Sequence, residues 1–227
     1  MDWPGEVSRN GYGVVHSVFE ASALERVRTT LEGRGITRSR AGVRHLMTEE
    51  SITEIASSPE MIGAAQAVLG KSATPFRATY FEKSPASNWL VAWHQDTALP
   101  LRERKEVEGW GPWSTKGGVI YSHAPAVALE QVIALRLHLD DSTSENGPLR
   151  VLPGTQNKGV LTDEAIHKLS DELEAVECCS GAGGIILMRP LVVHASSKSM
   201  STKPRRVLHI EYASSLEIAQ GLRLAVV

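Results

Sequence analysis

The stretch VIALRLHLD, residues 132–140, sets apolar and polar side chains strictly in turn: Ile133, Leu135, Leu137 and Leu139 share one parity, Arg136, His138 and Asp140 the other. A side-chain period of two belongs to a strand and excludes a helix. RVLHIEYA (206–213) repeats the pattern, with Leu208, Ile210 and Tyr212 opposed to Arg205, Val207, His209 and Glu211, and FRATYFEK (76–83) alternates as well. Shorter runs at Val151–Leu152, Ile185–Met188 and Leu191–His194, separated by Gly and Pro, read as further strands. The charged parity has three readings: a solvated face, a buried one, or the polar interior of a ligand-filled barrel, which gives both faces a use.

The first third has another texture. Ser22 with Glu25 forms a capping-box signature, followed by Leu24, Val27 and Leu31 at helical spacing until Gly33 and Gly35. A second helix is expected from Ser58, with Pro59 in its first turn, to Leu69 before Gly70. GYGVVHSVF, ahead of both, reads as a short strand. The expectation is one domain over 1–227: mainly helical support over 1–73, then a β core over 74–215 of jelly-roll or barrel-like form with helices on one side. Residues 97–130 show little period and are expected to form a lid or substrate loop.

Hydrophobic residues are 42% and charged residues 22%, values of an ordinary folded chain. A net charge of -2 with no dense Lys/Arg patch argues against a nucleic-acid partner; Arg38, Arg40 and Arg44 form only a local, solvated cluster. No apolar run is long enough to cross a bilayer, and MDWPGEVSRN is not a signal peptide. The two cysteines, Cys178 and Cys179, are neighbours and poorly placed to bridge each other, which fits a reducing cytoplasm.

WHQD (93–96) raises the chemical question. On a strand, His94 and Asp96 leave the same face and can converge on one point. His194, in MRPLVVHASS, would complete a two-histidine, one-carboxylate triad, which leaves coordination positions of Fe(II) open. Each histidine alone is ordinarily a hydrogen-bonded structural residue, and H-x-D arises by chance in a chain with eight histidines and 26 acidic residues. The whole arrangement carries the argument: H-x-D, His194 ninety-eight residues beyond Asp96, Ser196 two further on and Arg205 eleven beyond His194.

WHQD, HLDDSTSENGPLRVLPGTQ, MRPLVVHASS and RRVLHIEYA, in that order over Phe76 to Ala213, resemble the phytanoyl-CoA dioxygenase family of Fe(II)- and 2-oxoglutarate-dependent oxygenases. The resemblance implies a double-stranded β-helix (jelly-roll, cupin-like) core with flanking helices, with Fe(II), 2-oxoglutarate and O2 used on a small-molecule substrate, succinate and CO2 being formed. It implies that His94, Asp96 and His194 bind iron. Arg205 would hold the distal carboxylate of 2-oxoglutarate, with Ser196 adding a hydroxyl. Arg206 competes for that role, but its parity sets it with Leu208 and Ile210.

Lys83 and Arg136, with Arg77 and His138, lie on polar strand faces and are candidates to line the cavity, Lys83 and Arg136 as further co-substrate contacts. In the family the segment ENGPLRVLPGT (145–155) borders the active-site mouth, which makes Leu149 and Arg150 candidates to approach substrate, and Trp110, Trp113 and Tyr121 are candidate covers. Trp89 and Trp93 read as packing. Asp96 favours hydroxylation over halogenation, since related halogenases lack that carboxylate. The rival readings are a non-catalytic metal or 2-oxoglutarate binder of the same fold, a cupin-like isomerase, and a zinc hydrolase; a serine hydrolase is disfavoured by the absence of G-x-S-x-G.

Overall fold

The computed structural model describes residues 2–33, 42–70 and 72–227. The N-terminal third carries α1 (Trp3–Asn10), β1 (Tyr12–Val15), α2 (Ala21–Gly33), α3 (Glu50–Ala56) and α4 (Pro59–Leu69). The Ser58 side chain caps α4 by accepting from the Met61 N–H, and Pro59 occupies the first turn, as the sequence requires. Ser22 is not the cap of α2, because the helix starts at Ala21, two residues ahead of the start that a Ser22 cap would give, with the Ala23 and Leu24 amides bonded to the Glu20 carbonyl. Arg38, Arg40 and Gly35 lie outside the described residues.

The β core follows: β2 (Thr74–Lys83), β3 (Val91–His94), β4 (Ala98–Leu101), β5 (Trp113–Lys116), β6 (Val119–His123), then α5 (Ala126–Leu129), β7 (Val132–His138) and β8 (Leu149–Leu152). After these come α6 (Asp163–Glu172), β9 (Val176–Cys178), β10 (Ile185–Met188), β11 (Val193–Ser196), β12 (Arg205–Ala213), β13 (Glu217–Ala219) and β14 (Leu222–Arg223). Two antiparallel sheets face each other, one of order β1-β10-β7-β12-β2 and one of order β3-β11-β8-β9. This is the double-stranded β-helix.

The alternation of β7 and β12 now has its physical reason. Ile133, Leu135, Leu137, Leu208, Ile210 and Tyr212 point outward and pack against Leu24, Val27, Ile52 and Met61 of the helices. The opposite parity faces the second sheet, so of the three readings the polar interior is the one realised. That interior is divided. Near β1 and β10 it is dry, with Ala134, Ile186 and Met188 against Leu149 and Val151; towards β12 and β2 it carries Arg136, His209, Glu211, Arg77, Thr79 and Lys83 around a cavity.

Several expectations shift. Residues 97–130 are not irregular: β4, β6 and β5 form a three-stranded antiparallel sheet, with Leu99, Leu101, Trp110 and Leu129 in a core of their own. Their period is hard to read because the strands are four or five residues long and joined by Gly/Pro-rich turns. The strand expected over Leu191–His194 runs instead over Val193–Ser196. Asp140 lies beyond the end of β7 and breaks parity, turning outward to bind Arg206 and Arg28. Arg206 itself faces out, as its parity demands. Both cysteines are free, Cys178 buried and Cys179 exposed.

Candidate active site

His94 closes β3 and stands directly opposite His194 on β11, their ring centroids 4.2 Å apart. Asp96 lies two residues past His94 but beyond the strand, so strand parity does not place it. The chain bends there, pinned by the Asp96 N–H donating to the Pro190 carbonyl at 2.9 Å. The bend brings the carboxylate to 3.7 Å from His94 Nε2 and 3.5 Å from His194 Nε2.

Each imidazole is oriented by its own backbone. His94 Nδ1 donates to the Ala92 carbonyl at 2.8 Å and His194 Nδ1 to the Val192 carbonyl at 2.9 Å. A carbonyl only accepts, so Nδ1 carries the proton and each Nε2 keeps its lone pair, the tautomer of a metal ligand. One ligand atom from each of the three residues lies within 4.8 Å of the others, and among the described residues no other such group occurs. Burial, then the neighbouring His94, lowers His194 to about 4. Burial pushes Asp96 up, but His194, His94, His209 and Arg77 outweigh it and hold the carboxyl below its ordinary range. Neutral imidazole and ionised carboxylate at neutral pH are the forms a divalent ion requires.

The cavity beside this cluster is about 590 Å³. At one end Lys83 and Arg205, register partners on β2 and β12, are 2% and 3% exposed. Lys83 Nζ donates to Ser196 Oγ at 2.6 Å and to the Ser197 carbonyl; Ser196 Oγ donates on to the Gly147 carbonyl at 2.8 Å, and Arg205 Nε to the Asn146 carbonyl at 3.2 Å. Gly147 must be glycine here, since its φ is +68° and a Cβ would collide with the Ser197 carbonyl.

No carboxylate among the described residues forms an ion pair with Lys83 or Arg205. Burial, then Arg205 and Arg136, lowers Lys83 to about 7; burial and Arg136 lower Arg205 to about 9. Arg136 donates to His209 Nδ1 at 3.1 Å but leaves its buried Nε unpartnered. Crowded, buried cations without a counter-ion are the donor set for a dianion such as 2-oxoglutarate.

At the other end Arg77 donates to both oxygens of Glu211, the Nη2 bond being 2.6 Å, and to the Ala98 carbonyl at 2.9 Å. Its guanidinium lies 5.7 Å from the centre of the Tyr121 ring.

The profile of the phytanoyl-CoA dioxygenase family matches residues 7–207. The chain belongs to the phytanoyl-CoA dioxygenase family. As a family member it is a non-haem Fe(II)- and 2-oxoglutarate-dependent oxygenase. It is 24% identical over 207 residues to L-proline trans-4-hydroxylase of Streptomyces griseoviridis, covering 80% of this chain and 69% of that protein. Its fold is like that of AviO1 from Streptomyces viridochromogenes Tue57, with TM-score 0.66, 22% identity and 93% of each chain covered. It is also like that of EctD from S. alaskensis, solved with 2-oxoglutarate and 5-hydroxyectoine, with TM-score 0.68, 17% identity, and 92% of this chain and 74% of that chain covered.

Within this phytanoyl-CoA dioxygenase family member, the structure gathers His94, Asp96, His194, Lys83, Arg136, Ser196 and Arg205 around one cavity. Leu149 and Trp89 also line it. Arg150 does not: it lies over the Trp93 ring and borders a separate cleft of about 470 Å³. His138 is buried with neither ring nitrogen bonded, and does not line the cavity. Sequence reasoning singled out neither His209 nor Thr79 as site residues, although the parity of Glu211 and Arg77 puts both on the inner face. Arg44, expected to be merely solvated, lines the cavity, as does His123, whose Nδ1 lies 2.6 Å from Thr97 Oγ1.

Proposed function

We propose that the protein is a cytoplasmic hydroxylase of a small molecule, with His94, Asp96 and His194 holding Fe(II), and Arg205, Lys83 and Ser196 holding the distal carboxylate of 2-oxoglutarate, Arg136 beside them. The observation that carries this reading is the cluster of three donor atoms within 4.8 Å, both histidines presenting a free Nε2. When bound, iron with 2-oxoglutarate and O2 supplies the oxidation of a substrate C–H bond, with succinate and CO2 released.

The chain's own groups supply position and exclusion of water. His94 and His194 are fixed in tautomer and ring plane by their backbone bonds. Arg205 offers a guanidinium fork to a carboxylate, and the Lys83–Ser196–Gly147 chain of hydrogen bonds fixes the floor beside it. With iron bound, the Asp96 carboxylate would take the place that a halide needs, which favours hydroxylation. The 97–130 segment contributes Thr97, Ala98, Lys116, Tyr121 and His123 to the cavity wall and covers it as a lid. L-Proline trans-4-hydroxylase supports a small-molecule substrate, and the two free cysteines fit a reducing compartment. Among the described residues no helix is long and apolar enough to cross a membrane.

The test is the anaerobic absorption of protein with Fe(II) and 2-oxoglutarate. His94→Ala or Asp96→Ala abolishes it, while Arg205→Ala weakens 2-oxoglutarate by about 2–4 kcal/mol and spares iron. An unchanged spectrum in the first two variants rejects the ligand assignment, and a wild-type protein that never forms succinate in air over a broad substrate panel rejects the hydroxylase.

A further inference from the structure

The cavity has two cationic ends, and the co-substrate accounts for only one. Arg77 and Lys83 point inward from the same strand, six residues apart, which is about 20 Å of extended chain. Glu211 and Arg205 mark the same two ends on β12. The Lys83–Arg205 end is the one assigned above. At the far end stand Arg77, Tyr121, Arg44 and Lys116.

Two segments build that far end. The first, Gly42 to Leu46, is tied to β2 by the Val43–Tyr80 bridge. The second is the β5–β6 turn at Gly117–Gly118, which packs on His45: a Cβ at Gly117 would stand 3.1 Å from the imidazole. His45 Nε2 is 3.0 Å from the Tyr121 hydroxyl, and Lys116 Nζ stands 5.0 Å from the centre of the Tyr121 ring.

The charges there do not balance. Three acids line the cavity. Asp96 faces the two histidines, Glu211 grips Arg77, and Glu82 accepts from the Tyr80 hydroxyl at 2.9 Å. Among the described residues none pairs with Arg44 or Lys116. Burial, then Arg44 and Arg77, lowers both Lys116 and His45, which places these side chains together at one end of the cavity. Two cations and a tyrosine at the wall of an oxidising cavity recognise an anion.

We propose that Arg44 and Lys116, with the Tyr121 ring beside Lys116, bind an anionic oxygen group of the substrate, a carboxylate or a phosphate, so that the enzyme oxidises small organic acids. The inference rests on the hydroxylase reading above. With the charged group anchored at this end, the substrate's carbon skeleton extends along the cavity towards His94 and Asp96.

Anaerobic protein with saturating Fe(II) and 2-oxoglutarate is titrated calorimetrically with benzoate and hexanoate, with their neutral amides, and with phenyl phosphate. At least one anion is expected to bind at least tenfold more tightly than the matching neutral compound. The double variant R44A/K116A is expected to lose that preference while its Fe(II)–2-oxoglutarate absorption stays intact. Tightest binding of phenyl phosphate identifies the group as phosphate; tightest binding of an acid identifies it as carboxylate.

The proposal is overturned if no anion binds, if the amides bind as well as the acids, or if R44A/K116A keeps the preference. Failure of the iron reading looks different, since the absorption is then missing in the wild type. The same titration on metal-free protein, with 2-oxoglutarate kept in excess to occupy the Lys83–Arg205 end, still reads the Arg44–Lys116 end, with the same outcomes deciding it.

Discussion

A lysine ammonium that is 2% exposed, with a second cation as its strand neighbour and no carboxylate among the described residues paired to it, is held against its own solvation and its neighbour's charge. Lys83 is lowered from 10.5 to about 7 by burial, then by Arg205 and Arg136. The unfolded chain therefore binds more protons between about pH 7 and 10.5, so the destabilisation is complete below pH 7 and fades as pH rises towards 10.5. Lys83→Met removes the group that titrates. Relative to wild type, the metal-free variant gains stability on the order of 3 kcal/mol or more on going from pH 10 to pH 6, read by urea unfolding at both values. Its affinity for 2-oxoglutarate falls by about tenfold or more, because the same charge that destabilises the empty cavity favours a bound dianion. A gap between variant and wild type that does not change with pH excludes this role.

At the scale of elements, the outer face of the large sheet is held to the helices by more than apolar packing. Asp140 accepts from the Arg206 backbone N–H at 2.9 Å and from its guanidinium at 2.8 and 2.9 Å, and Arg28 of α2 approaches to 3.5 Å. Arg28 also donates to the Leu139 carbonyl. The three side chains are about one-fifth exposed, so the interaction is partly shielded from water. Asp140→Ala leaves Arg206 only the exposed Glu32 and Arg28 only the exposed Glu25 as carboxylate partners, and should destabilise the fold by about 1–3 kcal/mol, measured as a shift of the urea midpoint. The proposed iron ligands lie on the opposite sheet and in the bend that follows β3, so the Fe(II)–2-oxoglutarate absorption of this variant stays that of wild type; a variant that loses absorption but not stability would contradict this division of labour.

For the molecule as a whole, the site lies at the open edge between two sheets, and its ligands come from chain segments joined by nothing but tertiary contact. Anything that bridges β3, β11 and β12 in the folded state and not in the unfolded chain stabilises the whole. Anaerobic Fe(II) with 2-oxoglutarate, each at 100 times its Kd, contributes about 2.7 kcal/mol per independent ligand. For a chain of this size that raises the melting temperature by roughly 5–10 °C for each. Asp96→Ala should abolish the iron part of the shift in a thermal scan under nitrogen, and an undiminished shift would place the metal elsewhere.

Much of this protein follows from its residues taken in order. The period of two over 132–140 and 206–213 makes strands with one apolar and one charged face. Ser58, Pro59 and Gly70 bound α4 because capping and the missing proline N–H are local chemistry. His94, Asp96, His194 and Arg205 were legible as a set because their spacing matches one family. What lay beyond the sequence depended on partners distant in the chain. Alternation cannot say whether a charged face meets water or a second sheet, and only the pairing of β11 with β3 and β8 encloses it. Nor can spacing place Asp96, which reaches the histidines through a bend held by Pro190, or Arg44, brought to the cavity by one bridge to Tyr80. Periodicity is a property of neighbours along the backbone, whereas an enclosed, charged cavity arises from contacts between segments whose separation no local pattern records.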